Sequence, residues 1–121
     1  MDLTLDRPGD HHYIRSFNEQ GIRIADAYHT GPLLVSADRI LPWPPASVDS
    51  IEEPHLDAIV ALRPEVVIVG TGTQQVFLPP RQMMKFYEQG IGVEVMASDP
   101  ACRTFNVLVS EGRNVVAAIM Q

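Results

Sequence analysis

The single cysteine of this 121-residue chain, Cys102, stands three residues after Asp99 in the run Asp99-Pro100-Ala101-Cys102-Arg103. Asp99-Pro100 reads as an N-cap followed by proline at the first helical position, which puts Cys102 in the first turn of a helix. There the positive end of the helix macrodipole favours a thiolate, and Arg103 adds positive charge nearby. A thiol so placed is a nucleophile when a base stands beside it. The competing reading is packing, since Cys102 shares a helix face with Phe105, Asn106 and Val109, and free cysteine is among the most buried residue types.

Gly70-Thr71-Gly72-Thr73 follows the apolar run Val66-Val67-Ile68-Val69 and could cradle a phosphate with backbone N–H groups. A dinucleotide turn needs a third glycine at position 75, where Gln75 stands, and a helix opening at once, whereas Thr73 to Leu78 intervene before Pro79-Pro80. A tight turn without ligand is the alternative. His11, His12, His29 and His55 have no metal spacing, because no two of them lie four apart on a helix. Trp43, between Pro42 and Pro44-Pro45, is a rigid aromatic that either anchors a partner or caps the core. Met83, Met84 and Tyr87, with Phe86, cover more than one helix face, so part of that set should be exposed as an apolar contact surface.

The elements that position these residues follow from period and punctuation. Tyr13 to Phe17 and Ile22 to Ala25 alternate apolar and polar residues around Asn18-Glu19-Gln20-Gly21, which predicts an antiparallel hairpin. Further extended segments are expected at Leu33 to Ser36 and at Arg39 to Leu41, where prolines end the sheet. Pro54 to Leu62 carries helical spacing. Val66 to Val69 is the expected central strand, buried on both faces. A helix opening at Pro79-Pro80 and closed by Gly90, a strand over Val93 to Met96, a helix from Asp99 to Glu111 ended by Gly112, and a strand over Val115 to Met120 complete the chain. The expected fold class is therefore α/β: one domain over residues 12–121, with a mixed central sheet, parallel βαβ units flanked by helices, and the N-terminal hairpin. Residues 1–11, with little to bury, are expected to form a flexible start.

Composition narrows the function. The formal net charge is -6, from 9 Lys+Arg against 15 Asp+Glu, which disfavours a surface for nucleic acid. A single cysteine cannot form an internal disulfide, and no apolar run approaches bilayer length, so a cytoplasmic protein without membrane insertion is expected. No cofactor and no metal are called for.

Together, Gly70-Thr71-Gly72, Phe77-Leu78-Pro79, Gly90-Ile91-Gly92-Val93-Glu94-Val95-Met96, the stretch from Ala101 to Leu108 and Glu111-Gly112-Arg113 resemble a small uncharacterised domain family. It includes the mitochondrial NADH dehydrogenase (complex I) assembly factor 3 and an adipogenesis-associated protein. The resemblance runs from about Tyr13 to Met120 and implies a compact α/β fold with a mixed sheet. It also implies a binding role, and its recurring residues map onto Gly70, Gly72, Cys102, Arg103, Thr104 and Asn106. Where the family often has tyrosine, this chain has Phe105. The expected function is a non-enzymatic binding module with a protein partner, self-association being open. Its contact site would comprise Gly70, Thr71, Gly72, Cys102, Arg103, Thr104 and Asn106, with Trp43, Met83, Met84 and Tyr87 facing the partner. A small Cys102-dependent enzyme, or a nucleotide-binding protein using the Gly70 to Thr73 turn, are the alternatives.

Overall fold

The computed structural model describes residues 11–121; the flexible segment expected over 1–11 lies, but for His11, outside the described residues. Three strands, β1 (Ile14–Asn18), β2 (Gly21–Ile24) and β3 (Ala27–His29), form an antiparallel meander. Strands β4 (Leu33–Val35) and β5 (Ile40–Pro42) follow, then helix α1 (Glu53–Val60), β6 (Val66–Thr71), helix α2 (Pro80–Glu88), β7 (Gly92–Met96), helix α3 (Ser98–Ser110) and β8 (Val115–Met120). The second sheet has the order β5-β4-β8-β6-β7. Its β8, β6 and β7 are parallel, while β4 pairs antiparallel with both β8 and β5.

This order explains where the helices lie. The chain steps from β6 to its neighbour β7 through α2, then back across β6 to β8 through α3, and right-handed crossovers in opposite directions put the two helices on opposite faces. Side chains alternate accordingly. Val66 and Ile68 of β6 pack with Ala101, Cys102, Phe105 and Val109 of α3 and with Ile14, Ile22 and Ile24 of the small sheet. Val67 and Val69 point the other way, to Leu56 and Ile59 of α1, Phe86 of α2 and Trp43.

The hairpin, the paired interior strand over Val66 to Val69, three helices and the last strand stand as expected, with three differences. The hairpin gains a third strand, because Ala25 adopts a φ of 54° and turns the chain back after β2. The middle of the five-stranded sheet is β8, every residue of which is buried, and β6 lies beside it. Helix α3 starts at Ser98 with Ala97 at the N-cap, so Asp99 lies inside the first turn and does not cap it. At α1 the capping side chain is a histidine: the Glu52 N–H donates to His55 Nδ1 at 2.9 Å.

Candidate functional site

Open α/β sheets place ligands and partners beyond the carboxyl ends of their parallel strands. Here the ends of β6 and β8 converge on one side chain. Ser98 is fully buried; its hydroxyl accepts the Gly72 N–H at 2.8 Å and donates to the Met120 carbonyl at 2.6 Å. Its own N–H donates to the Gly72 carbonyl at 2.8 Å. One serine thus ties two strand ends to the start of α3. A buried hydroxyl is tolerable because both its donor and its acceptor capacity are used.

Gly70 permits this approach. A Cβ there would lie 2.9 Å from Ser98 Oγ, 3.0 Å from Ser98 Cα and 3.1 Å from Ala101 Cβ. Gly72, with a φ of 97°, then turns the chain out of the sheet. Thr71 organises the loop that follows: its hydroxyl donates to the Gln74 carbonyl at 2.6 Å and accepts the Val76 N–H at 3.1 Å. Gln75 Nε2 donates to the Val95 carbonyl at 3.1 Å, fastening the loop across the open edge of β7. The loop so held presents Val76 at 46% and Phe77 at 82% exposure, while Leu78 turns inward and is buried.

Beside this rim lies a cleft of about 650 Å³. The end of β1 supplies Phe17 and Asn18 and the turn after it Glu19, the loop after β6 supplies Gly72 and Thr73, and the N-cap and first turn of α3 supply Ala97, Asp99 and Pro100, with Gln121 completing the lining. Among the described residues no three of His, Cys, Asp and Glu gather in a way that could hold a metal.

The proposed contact residues do not form one concavity. Gly70, Thr71 and Gly72 meet the first turn of α3, but of the seven only Gly72 lines the cleft. Arg103 is exposed and pairs with Asp99 at 3.0 Å. Thr104 Oγ1 points back along the helix to Met96 Sδ at 3.4 Å. Asn106, eight residues after Ser98 and so about 12 Å along the axis, serves a different contact. Its Oδ1 accepts the Ile14 N–H and its Nδ2 donates to the Ile14 carbonyl, both at 2.8 Å. The carboxamide thereby pairs with β1 as a neighbouring peptide group would, and docks the small sheet on α3. Cys102 is 4% exposed, and burial, followed by the Asp99 charge, pushes its thiol up to about 12 against the weaker opposing pull of Arg103. Its surroundings thus oppose a thiolate at neutral pH.

Trp43 is also corrected. It is 2% exposed, packs in the core beneath α1, and its Nε1 donates to the His55 carbonyl at 3.2 Å, so it caps the core and is not displayed at the surface. Met83 is half-buried against the same core, whereas Met84 and Tyr87 face solvent. Two residues were missed from sequence. Ser98 carries no local signal, because it is the first residue of α3 and not its N-cap, and the partners of its hydroxyl lie at the ends of β6 and β8. Phe77 lies in the seven-residue stretch Gly72 to Leu78 between β6 and Pro79-Pro80, which has no apolar period of its own.

The family described as "Protein of unknown function (DUF498/DUF598)" matches residues 14–120. The chain belongs to this family. Similarity to the 13 kDa major membrane protein of Francisella tularensis subsp. holarctica reaches 40% identity over 91 residues, 74% of each chain. The human NADH dehydrogenase (ubiquinone) 1 alpha subcomplex assembly factor 3 is 34% identical over 110 residues, which make up 89% of this chain and 60% of that protein. This chain thus matches less than two thirds of the assembly factor's length. The solution structure of a Mth938-like domain from Bordetella pertussis superposes with a TM-score of 0.83 at 25% identity, covering 99% of this chain and 92% of that one. In this DUF498/DUF598 chain no helix among the described residues is long and apolar enough to cross a membrane.

Proposed function

We propose that this chain is a cytoplasmic, non-enzymatic protein-binding module with a part in the assembly of a larger complex, a reading supported by its relatives named as assembly factors. The observation that carries this reading is Phe77: an aromatic side chain 82% exposed on a loop that Thr71 and Gln75 hold in place. A pre-ordered exposed aromatic loses little conformational freedom on binding, which is the property of an anchor residue. The cleft lined by Phe17, Glu19, Asp99 and Pro100 opens where the same loop begins, at Gly72 and Thr73, and offers a receptor for a partner segment.

The test is affinity purification from the native host with the full chain, compared with Phe77→Ala and Cys102→Ala. A protein partner retained by the wild type and by Cys102→Ala, and weakened by roughly thirtyfold or more in Phe77→Ala, is the expected result. A partner held equally well by Phe77→Ala overturns the reading. So does turnover of a metabolite abolished by Cys102→Ala, which would restore the cysteine enzyme.

A further inference from the structure

Helix α2 turns one face to the core and another to water. Phe86 is buried and Met83 half-buried. Lys85 reaches sideways to α1, pairing with Glu53 and, at 2.6 Å, with Asp57. The outward face carries Pro80, Arg81, Met84, Tyr87 and Glu88, with Met84 54% and Tyr87 52% exposed. It borders a groove of about 410 Å³ that α1 closes with Glu53.

The order of residues on this face is its own complement. Each helical residue is turned by about 100° and raised by about 1.5 Å. Met84 then stands at the centre of the face. Arg81 and Glu88 both flank it on the side toward α1, about 4.5 Å before it and about 6 Å after it along the axis. Pro80 and Tyr87 flank it on the other side, again one before and one after. A two-fold axis perpendicular to the helix reverses its direction and keeps each flank on its own side. Arg81 of one copy then lies opposite Glu88 of the other, Pro80 opposite the Tyr87 ring, and Met84 against Met84.

The charges are placed for this pairing and against the isolated helix. A basic residue in the first turn and an acidic residue at the last position are the reverse of what the macrodipole favours. Among the described residues neither Arg81 nor Glu88 forms an ion pair. In an antiparallel pair each meets the opposite helix end as well as the opposite side chain.

We propose that the outward face of α2 is the seam of a two-fold homodimer, with a second copy of this chain as its occupant. A nine-residue helix covers less than the roughly 800 Å² per partner of a standard stable interface, so the dimer depends on concentration and is not permanent. Sedimentation equilibrium of the full chain, from low micromolar to millimolar concentration, tests this. The wild type is expected to dimerise, and Arg81→Glu and Glu88→Arg are each expected to weaken it by about tenfold or more, since each puts two like-charge pairs across the seam. Mixing the two variants places Glu against Arg at both contacts. The mixture is expected to form a heterodimer within about threefold of the wild-type constant. Both positions are exposed, and an unchanged thermal midpoint for each variant verifies that the fold is intact. A wild type that stays monomeric at millimolar concentration overturns the proposal. So does a dimer unaffected by the single swaps, or a mixture no tighter than its components.

Discussion

Replacing Gly70 by alanine tests how closely α3 is seated on β6. Three atoms would stand 2.9–3.1 Å from the new Cβ, against 3.4 Å or more in ordinary contact, and two of them, Ser98 Cα and Ala101 Cβ, cannot swing aside. The helix must retreat by a few tenths of an ångström, an overpacking cost of about 1–3 kcal/mol. Stiffening the unfolded chain offsets about 0.5–1 kcal/mol of this. The same retreat stretches the two hydrogen bonds of the Ser98 hydroxyl, each with a net worth of about 1 kcal/mol. The expected sum is a loss of about 2 kcal/mol, read from urea unfolding at constant slope, or roughly 6–12 °C in the thermal midpoint. Because Gly70→Ala and Ser98→Ala disturb the same hydroxyl, their combination should cost less than the sum of the two. A loss under about 0.5 kcal/mol for Gly70→Ala, or strict additivity with Ser98→Ala, would refute the account of the helix seat.

Asn106→Leu should cost about 2–3 kcal/mol, because it leaves the Ile14 N–H and carbonyl without their partner, and amide exchange at Ile14 should accelerate more than exchange in β8. Native Cys102 should resist alkylation at pH 8.5 and react at a rate set by opening of the fold; fast labelling without unfolding would contradict its burial. With the folded thiol held at about 12 and an unfolded one near 8.5, the folded state binds the extra proton between these values. Stability should therefore fall as pH rises through that window, and Cys102→Ala should flatten the slope there. Trp43→Ala should destabilise by about 3–5 kcal/mol, and Trp43→Phe by less, with the gap reporting in part the lost Nε1 hydrogen bond to His55.

What was legible in the sequence is what repeats along it. Val66 to Val69 reads as an interior strand because both of its faces are apolar, and both are indeed covered, by α3 on one side and by α1 and α2 on the other. Gly90 and Gly112 read as helix stops and have φ values of 74° and 80°. What was not legible is which distant segment a side chain reaches. Asn106 is 92 residues from Ile14, and no local pattern marks a carboxamide that pairs with a strand edge. Trp43 between prolines looks like a displayed aromatic until α1 folds over it. Gly70 suggested a phosphate turn because glycine after a buried strand has that use, yet its Cβ space is filled by Ser98 and Ala101, a reason that exists only once α3 has crossed β6.

The residues that carry the family resemblance are for the most part occupied in holding the scaffold together. Gly70 admits α3, Gly72 turns the chain and pairs with Ser98, Cys102 fills the core, Thr104 contacts Met96, and Asn106 docks the small sheet. Each can recur in relatives with different tasks without bearing on any of them, because the constraint it answers is steric or hydrogen-bonding and lies inside the domain. Partner choice then falls to side chains the fold does not need. Phe77, Met84 and Tyr87 stand exposed, and Arg81 and Glu88 lack ion pairs among the described residues, so substituting them should leave stability nearly unchanged. The contrast is itself measurable. Alanine at Gly70 or Asn106 should lower the unfolding midpoint and leave contact-surface chemistry intact, whereas alanine at Phe77 should lower capture of a partner and leave the midpoint where it is.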